Sequence, residues 1–345
     1  MNINLISFTR KGGYLNKKLG DYLVSLGYST KSYSIEKFAK DLDLLPMGSS
    51  LKGWTEDSFK HMDFIIFIGA AGIAVRLIAP FIKSKDVDPG VLVIDEEGKF
   101  VIPILSGHIG GANKLSKKIA KELNATEVIT TATDINKKFA IDNFAVEKNL
   151  HISDINMIKK ISSKILEGEN VPLYSDFDVK GNLPKGIALS DEGDTGICIS
   201  LEEKKVFDNT MNLVPKIITL GIGCRKNTPF LNIEDLVLEV LKENNISINS
   251  VKRVASIDLK KEEEGLLEFC KKYNLEFKVY SAEELKSVPG DFTESSFVKS
   301  ITGVSNVCER AAVKGSNNSD LILRKRAKNG ATVAIAKEEW SVDFE

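Results

Sequence analysis

The run Asp63-Phe-Ile-Ile-Phe-Ile68 most constrains what this chain can fold into. Unbroken apolar character leaves neither face of a strand for water, so such a strand needs cover on both sides, as in a parallel sheet flanked by helices. The rest of the chain supports that reading, because strand-like and helix-like segments alternate. Ile3 to Phe8 reads as a strand and Tyr14 to Leu26 as a helix, and Gly69 to Ala79 reads as a helix closed by Pro80. Val91 to Asp95 and Phe100 to Leu105 flank Glu96-Glu97-Gly98-Lys99 as a hairpin. The pattern weakens from Asp134 to Val214, with one helix near Asp154 to Leu166, and strengthens again from Lys216. There Ile217 to Ile222, Val251 to Ile257, Glu276 to Tyr280, Leu321 to Leu323 and Thr332 to Ala336 read as strands. Ile233 to Glu243 and Glu262 to Tyr273 read as helices, and Ser281-Ala-Glu-Glu284 opens another with a capping box. The expected fold is multi-domain α/β. It comprises a Rossmann-like N-terminal region over 1–132, a small middle domain over 133–214 and a C-terminal α/β domain with a mixed sheet over 215–345.

The 345 residues suffice for two or three domains, and 43% hydrophobic content supports packed cores. A formal net charge of −1 argues against a general nucleic-acid binder and leaves any anionic ligand to local basic groups. No stretch approaches the roughly 20 apolar residues of a membrane span, and the first residues lack the basic start and cleavage site of a signal peptide. A cytoplasmic location is expected. The four cysteines, Cys198, Cys224, Cys270 and Cys308, form no Cys-x-x-Cys pair, which disfavours a zinc ribbon or a dithiol site. No metal site is expected.

Chemistry concentrates at Ser106-Gly-His-Ile-Gly-Gly-Ala-Asn113, between the strand ending at Leu105 and a helical pattern with Ala112, Leu115, Ile119 and Leu123 on one face. Backbone N–H groups lack partners at a helix start, and the helix dipole adds positive potential there. Gly107, Gly110, Gly111 and Asn113 are therefore candidate ligand contacts, although glycines that serve only packing give the same pattern. The turn is not a P-loop, since Asn113 precedes Lys114 and no Ser or Thr follows, and the Gly-x-Gly-x-x-Gly spacing is absent. His108 is the best placed of the three histidines. The helix dipole favours its neutral form, able to accept a proton, while a capping role remains the alternative.

Asp86 and Asp88, on one side of an extended segment, are candidate acid–base groups or members of a solvated loop. Gly69, Gly72 and Arg76 lie where a strand passes into a helix, and the Arg76 guanidinium suits a carboxylate at the same site. Gly221-Ile-Gly-Cys-Arg-Lys-Asn-Thr228 ends a buried strand, where open α/β sheets bind ligands, and offers Gly221, Gly223 and Arg225. Cys224 has basic neighbours that favour a thiolate, without a nearby histidine to act as base. Glu309 and Arg310 follow a turn and read as a second functional loop or a surface ion pair.

Taken together, these motifs resemble the CbiG family, the cobalt-precorrin 5A hydrolases of anaerobic cobalamin biosynthesis. The resemblance runs through Gly69-Ala-Ala-Gly-Ile-Ala-Val-Arg76, Lys85-Asp-Val-Asp-Pro89, Val93-Ile-Asp-Glu-Glu-Gly98, the Ser106–Asn113 turn, Thr133-Asp134 and Phe139-Ala-Ile-Asp142. In the last third it takes in Gly221-Ile-Gly-Cys-Arg225, Ala255-Ser-Ile-Asp-Leu-Lys260, Ser281-Ala-Glu-Glu-Leu285, Thr302-Gly-Val304, Cys308-Glu309 and Ala331-Thr-Val-Ala-Ile-Ala336. That third is also similar to CobE. Arg310 departs from the family's Cys-Glu-Pro pattern.

The resemblance implies a cobalt-containing contracted tetrapyrrole as substrate, opening of its ring A δ-lactone, and release of acetaldehyde to give cobalt-precorrin 5B. It implies no cofactor, because cobalt arrives inside the substrate. The resemblance does not assign the base; from its place in the glycine turn His108 is expected to serve, with Asp86 and Asp88 as further candidates. Binding would fall to the glycines above with Arg76, Asn113, Arg225 and Glu309. The expected partner is this small molecule, with no nucleic acid or membrane and only transient contacts with neighbouring pathway enzymes. The alternative is a non-catalytic carrier of the corrinoid intermediate.

Overall fold

Residues 64–68 form the fully buried strand that the apolar run demands. The computed structural model describes residues 1–48, 50–84, 87–131 and 138–344. The chain divides into two compact units, residues 1–143 and 144–345. Among the described residues, no helix is long and apolar enough to cross a membrane.

The first unit holds a seven-stranded sheet. Its strands are β1 (Asn2–Ser7), β2 (Ser29–Ser34), β3 (Leu45–Pro46), β4 (Phe64–Ile68), β5 (Gly90–Ile94), β6 (Phe100–Leu105) and β7 (Thr126–Glu127). Their order is β3-β2-β1-β4-β5-β6-β7. The first five run parallel in the 3-2-1-4-5 order of a doubly wound Rossmann-like sheet, and β6 turns back antiparallel to β5. Alternate residues of β4 feed two cores. Phe64, Ile66 and Ile68 pack with Leu19 and Leu23 of helix Arg10–Ser25 and with Leu115 and Ile119 of helix Ala112–Leu123. Ile65 and Phe67 pack on the other face with Trp54 of helix Leu51–His61 and with Ala74 and Ile78 of helix Ala71–Ile78. Burying each such side chain contributes about 1.5–3 kcal/mol. Strand β2 (Ser-Thr-Lys-Ser-Tyr-Ser) escapes the sequence reading because it carries almost no apolar signal.

In the second unit, β8 (Leu150–Ile152), β9 (Val171–Ser175), β11 (Ile187–Leu189), β12 (Thr195–Ile199) and β13 (Asn209–Pro215) form one sheet, in the order β11-β9-β12-β13-β8. Short β10 (Val179–Lys180) pairs with β19 (Val342–Asp343). A second five-stranded sheet follows residue 216, in the order β16-β15-β14-β18-β17. It is built from β14 (Ile218–Cys224), β15 (Val251–Ile257), β16 (Glu276–Tyr280), β17 (Asp320–Lys328) and β18 (Ala331–Lys337). It is mixed, as expected, because β14, β15 and β16 run parallel while β18 and β17 return antiparallel. Helices Phe230–Glu243 and Glu264–Lys272 cover one face through Ile233, Val237, Leu266 and Phe269. Helix Cys308–Gly315 covers the other through Ala311 and Ala312. Glu309 and Arg310, expected in a loop, lie on this helix instead. Its Ala- and Gly-rich face fits flush against β14, where a Cβ at Gly221 would run into the backbone of Cys308 and Ala312. Gly221 therefore serves packing and presents nothing to a ligand.

Candidate functional site

At the end of β6 the chain reverses through Ser106–Gly111 before the helix begins. Ser106 takes a left-handed φ of 53° and Gly111 one of 75°. Strain held in a non-glycine residue of this kind is typical of functional turns. The helix start does not offer a bare row of donors, contrary to the sequence expectation. The N–H groups of Gly111, Ala112 and Asn113 donate to the carbonyls of His108, Ser106 and Gly107 at 2.8, 3.2 and 2.9 Å. The turn is folded tightly on itself. A Cβ at Gly107 would come 2.6 Å from the Asn113 amide oxygen, and one at Gly110 would strike Ser106. Asn113 is buried and donates to the Thr131 hydroxyl at 3.3 Å. These glycines and Asn113 shape the turn that holds His108.

His108 Nδ1 lies 2.9 Å from the Asp142 carboxylate, and the two side chains are only 12% and 9% exposed. The other Asp142 oxygen accepts from the Asn143 N–H at 3.1 Å. Burial pushes the Asp142 carboxyl up, but the hydrogen bond and charge of His108 and the neighbouring N–H groups outweigh it, so it titrates below its ordinary value. The carboxylate favours the imidazolium that forms when the ring takes a proton, so the helix dipole is not the only field acting on His108. Asp142 lies 34 residues from His108 in sequence, and its motif Phe139-Ala-Ile-Asp142 is the one signal that pointed to it.

Asp88 lies next to this turn, since the Ser106 hydroxyl donates to its backbone carbonyl at 3.0 Å. Its carboxylate is buried and takes the Lys83 N–H on both oxygens, at 3.1 and 2.9 Å. It closes its own loop and is not aimed at His108, which corrects the acid–base expectation for it. Asp86 lies outside the described residues. Gly69 and Gly72 sit at the carboxyl end of β4, whereas the His108 turn follows antiparallel β6 and lies at the opposite end of the strands. Gly69 takes a φ of 155° against the Phe8 ring, and Gly72 faces open space. Arg76 is exposed on helix Ala71–Ile78, on the other face of the sheet from helix Ala112–Leu123. Among the described residues, Arg76 makes no hydrogen bond or ion pair with Asp88, whose carboxylate takes the Lys83 N–H.

In the second unit a cavity of about 1400 Å³ opens at the carboxyl ends of parallel β14 and β15. It exceeds the ~300–1,000 Å³ of pockets for drug-sized ligands. Gly223, Cys224 and Arg225 line it, together with Lys226 and Lys325. Glu264 and Glu268 also line it, and Leu259 and Ile301 bring apolar surface although 64% and 62% exposed. Other cations at its edge are spoken for, Lys260 by Glu263 and Lys328 by Glu239. Arg225, Lys226 and Lys325 make no ion pair among the described residues.

The turn after β14 is braced from within. Glu263, unforeseen from sequence, accepts from the Asn227 and Thr228 N–H groups, so these donors do not await an anion. Cys224 is no thiolate. Burial pushes its thiol up to about 11 despite nearby Lys260. Glu309, proposed from sequence to touch a ligand, is wholly buried. It accepts at 2.8 Å from the Thr293 N–H, the Thr293 hydroxyl and the Lys325 N–H, and ties the strand bearing Lys325 to helix Cys308–Gly315. The Arg310 guanidinium caps the carbonyls of Leu285, Lys286 and Val288 and covers the Phe292 ring. Among the described residues, no cluster of three or more His, Cys, Asp or Glu side chains could hold a metal ion.

Residues 53–134 match the family described as Cobalamin synthesis G N-terminal, 139–215 the Cobalamin biosynthesis central region, and 218–336 the Cobalamin synthesis G C-terminus. The cobalt-precorrin-5A hydrolase of Salmonella typhimurium is 34% identical over 324 residues, covering 90% of this chain and 91% of that protein. A cobalamin biosynthesis protein G homolog from Sulfolobus solfataricus, known by crystal structure, is 27% identical. It covers 98% of this chain and 97% of its own, with a TM-score of 0.43. The last third is similar to CobE of Sinorhizobium, at 28% identity over 121 residues, 34% of this chain and 79% of that protein. Three matched regions in order and a relative aligned over nine-tenths of the chain show that this protein belongs to the CbiG family.

Proposed function

We propose that the chain is a cobalt-precorrin-5A hydrolase, which opens the ring A δ-lactone of a cobalt-containing contracted tetrapyrrole and releases acetaldehyde to give cobalt-precorrin 5B. The observation that carries this reading is the 34% identity to the Salmonella hydrolase over 90% of this chain and 91% of that protein. The chemistry asks for a base to take a proton from water as its oxygen attacks the lactone carbonyl, and His108 held by Asp142 has the form of one. Taken by itself, the second unit has a surface suited to a polycarboxylate. The second-unit cavity, with Arg225, Lys226 and Lys325 around apolar Leu259 and Ile301, suits carboxylates arranged around an apolar macrocycle. In this reading cobalt enters with the substrate, the protein brings no cofactor, and the enzyme works in the cytoplasm on a diffusing intermediate that neighbouring pathway enzymes supply and remove.

A second reading, a non-catalytic corrinoid carrier, draws on the cavity's lying wholly within the CobE-like third. Incubation of the purified protein with cobalt-precorrin-5A separates the two. Stoichiometric acetaldehyde over many turnovers supports the hydrolase, and binding without acetaldehyde supports the carrier.

A further inference from the structure

We propose that buried Glu309 is a positioning residue for the second-unit cavity, which holds a bulge in β17 in place and so presents the Lys325 side chain to a carboxylate of the ligand. The inference rests on the reading of that cavity as the seat of a polycarboxylate. Strand β17 carries Arg324, Lys325, Arg326 and Lys328. Arg324 pairs with Asp291, Arg326 with Glu243 and Lys328 with Glu239, whereas Lys325 lines the cavity and makes no ion pair among the described residues. A break in register sets Lys325 apart. Leu323 pairs with Ile335 and Arg326 with Val333, so Arg324 and Lys325 together oppose the single residue Ala334. Two residues against one make a β-bulge, which interrupts the ladder, bends the strand and re-aims a side chain. Leu323 packs with the core beneath helix Phe230–Glu243. Without the bulge Lys325, two residues on, would share that face.

The Lys325 N–H, outside the ladder pairing, goes to Glu309. One oxygen of the carboxylate accepts from this N–H and from the Thr293 hydroxyl, and the other accepts from the Thr293 N–H, each at 2.8 Å. Asn306 closes the bracket. Its amide oxygen accepts from the Glu309 N–H and its NH₂ donates to the Thr293 carbonyl, both at 2.9 Å. A buried carboxylate is costly to leave short of a donor, so the bulge is held where the bracket puts it. Glu309 is wholly buried and touches no ligand, so its effect on binding passes through what it holds. The sign of that effect is informative. A negative charge behind the cavity disfavours an anionic ligand by Coulomb repulsion. Removing it tightens binding if Glu309 acts only through its field, and weakens binding if Glu309 acts by placing Lys325.

The test titrates cobyrinic acid, a cobalt corrinoid polycarboxylate, into the full chain at about 50 mM salt and follows the corrin absorbance. Glu309→Gln leaves one acceptor oxygen where three donors converge. Affinity is expected to fall by about tenfold, the scale of one lost hydrogen bond to a charged group. In a Lys325→Ala background the same substitution should change affinity by less than about twofold, because the side chain that it positions is gone. Glu309→Asp keeps the charge but falls one methylene short of the bulge. It should weaken binding as Gln does, and it stands in should the amide variant fold poorly. Tighter binding in Glu309→Gln, unchanged affinity in both Glu309 variants, or an equal loss with and without Lys325 overturns the inference. Binding by Lys325→Ala as tight as that of the wild type overturns instead the reading of the cavity on which it rests.

Discussion

Lys325 should dominate the electrostatic hold on a polycarboxylate, although Arg225 is the residue that the sequence brings forward. Lys325 is half-buried, its backbone is pinned by Glu309, and it has no ion-pair partner among the described residues. A pair of unit charges about 4 Å apart in such a setting attracts by about 4 kcal/mol. Ordering a lysine side chain takes back about 2 kcal/mol. The remaining ~2 kcal/mol corresponds to about a 30-fold change in affinity. Arg225 and Lys226 are exposed, and each should contribute only ~0.2–1 kcal/mol, a factor of about five at most. Lys328 already holds Glu239, so Lys328→Ala is the control for a cation that is not available.

The assay is an absorbance titration of a cobalt corrinoid polycarboxylate into the wild type and each alanine variant, at about 50 mM and 500 mM salt. Lys325→Ala should weaken binding by about 30-fold at low salt and retain most of that deficit at high salt. The smaller loss in Arg225→Ala should largely vanish at high salt. Equal affinity for Lys325→Ala and wild type, or an equal loss in Lys328→Ala, refutes the reasoning.

Gly221→Ala should be among the most damaging single-methyl changes in the chain, because its Cβ meets backbone that cannot rotate away. A cost of roughly 1–3 kcal/mol or more is expected, seen as a lowered denaturation midpoint. Glu309 should govern part of the acid sensitivity. Burial raises its carboxyl, but three donors outweigh this and hold it below the ordinary value. Its stabilisation is therefore present above the unfolded carboxylate range, roughly pH 4.3, and is lost as pH falls through the lower folded value. Glu309→Gln should be less stable at neutral pH, lose less stability on acidification, and exchange the Thr293 and Lys325 amide hydrogens faster. Cys224 should resist alkylation. With its thiol near 11, its reaction with iodoacetamide at pH 8 should run about two orders of magnitude slower than that of a free cysteine, as read by mass spectrometry.

What the sequence determined by itself is local and periodic. Phe100–Leu105, Val251–Ile257 and Glu276–Tyr280 were legible to the residue, because unbroken or alternating apolar runs bounded by turn residues have few other readings. Helix Ala112–Leu123 and the Ser281 capping box were legible for the same reason, since their signals lie within one or two turns. The ordered motifs also marked the family, because together they span most of the chain.

Tertiary structure alone decided what those motifs face. Gly221 looked like a ligand contact until helix Cys308–Gly315 was found lying on it. The turn after β14 looked open to a ligand until Glu263, 36 residues from Asn227, was found bracing it from within. Glu309 looked solvent-facing until the segment at Thr293 and the strand at Lys325 closed over it. His108 acquired its partner only when helix Ile141–Glu147 brought Asp142 to the turn. In each case a polar or backbone group meets a partner many residues away, and burial makes that pairing obligatory. Periodicity records which face of an element is buried, but it carries no record of which distant group arrives there.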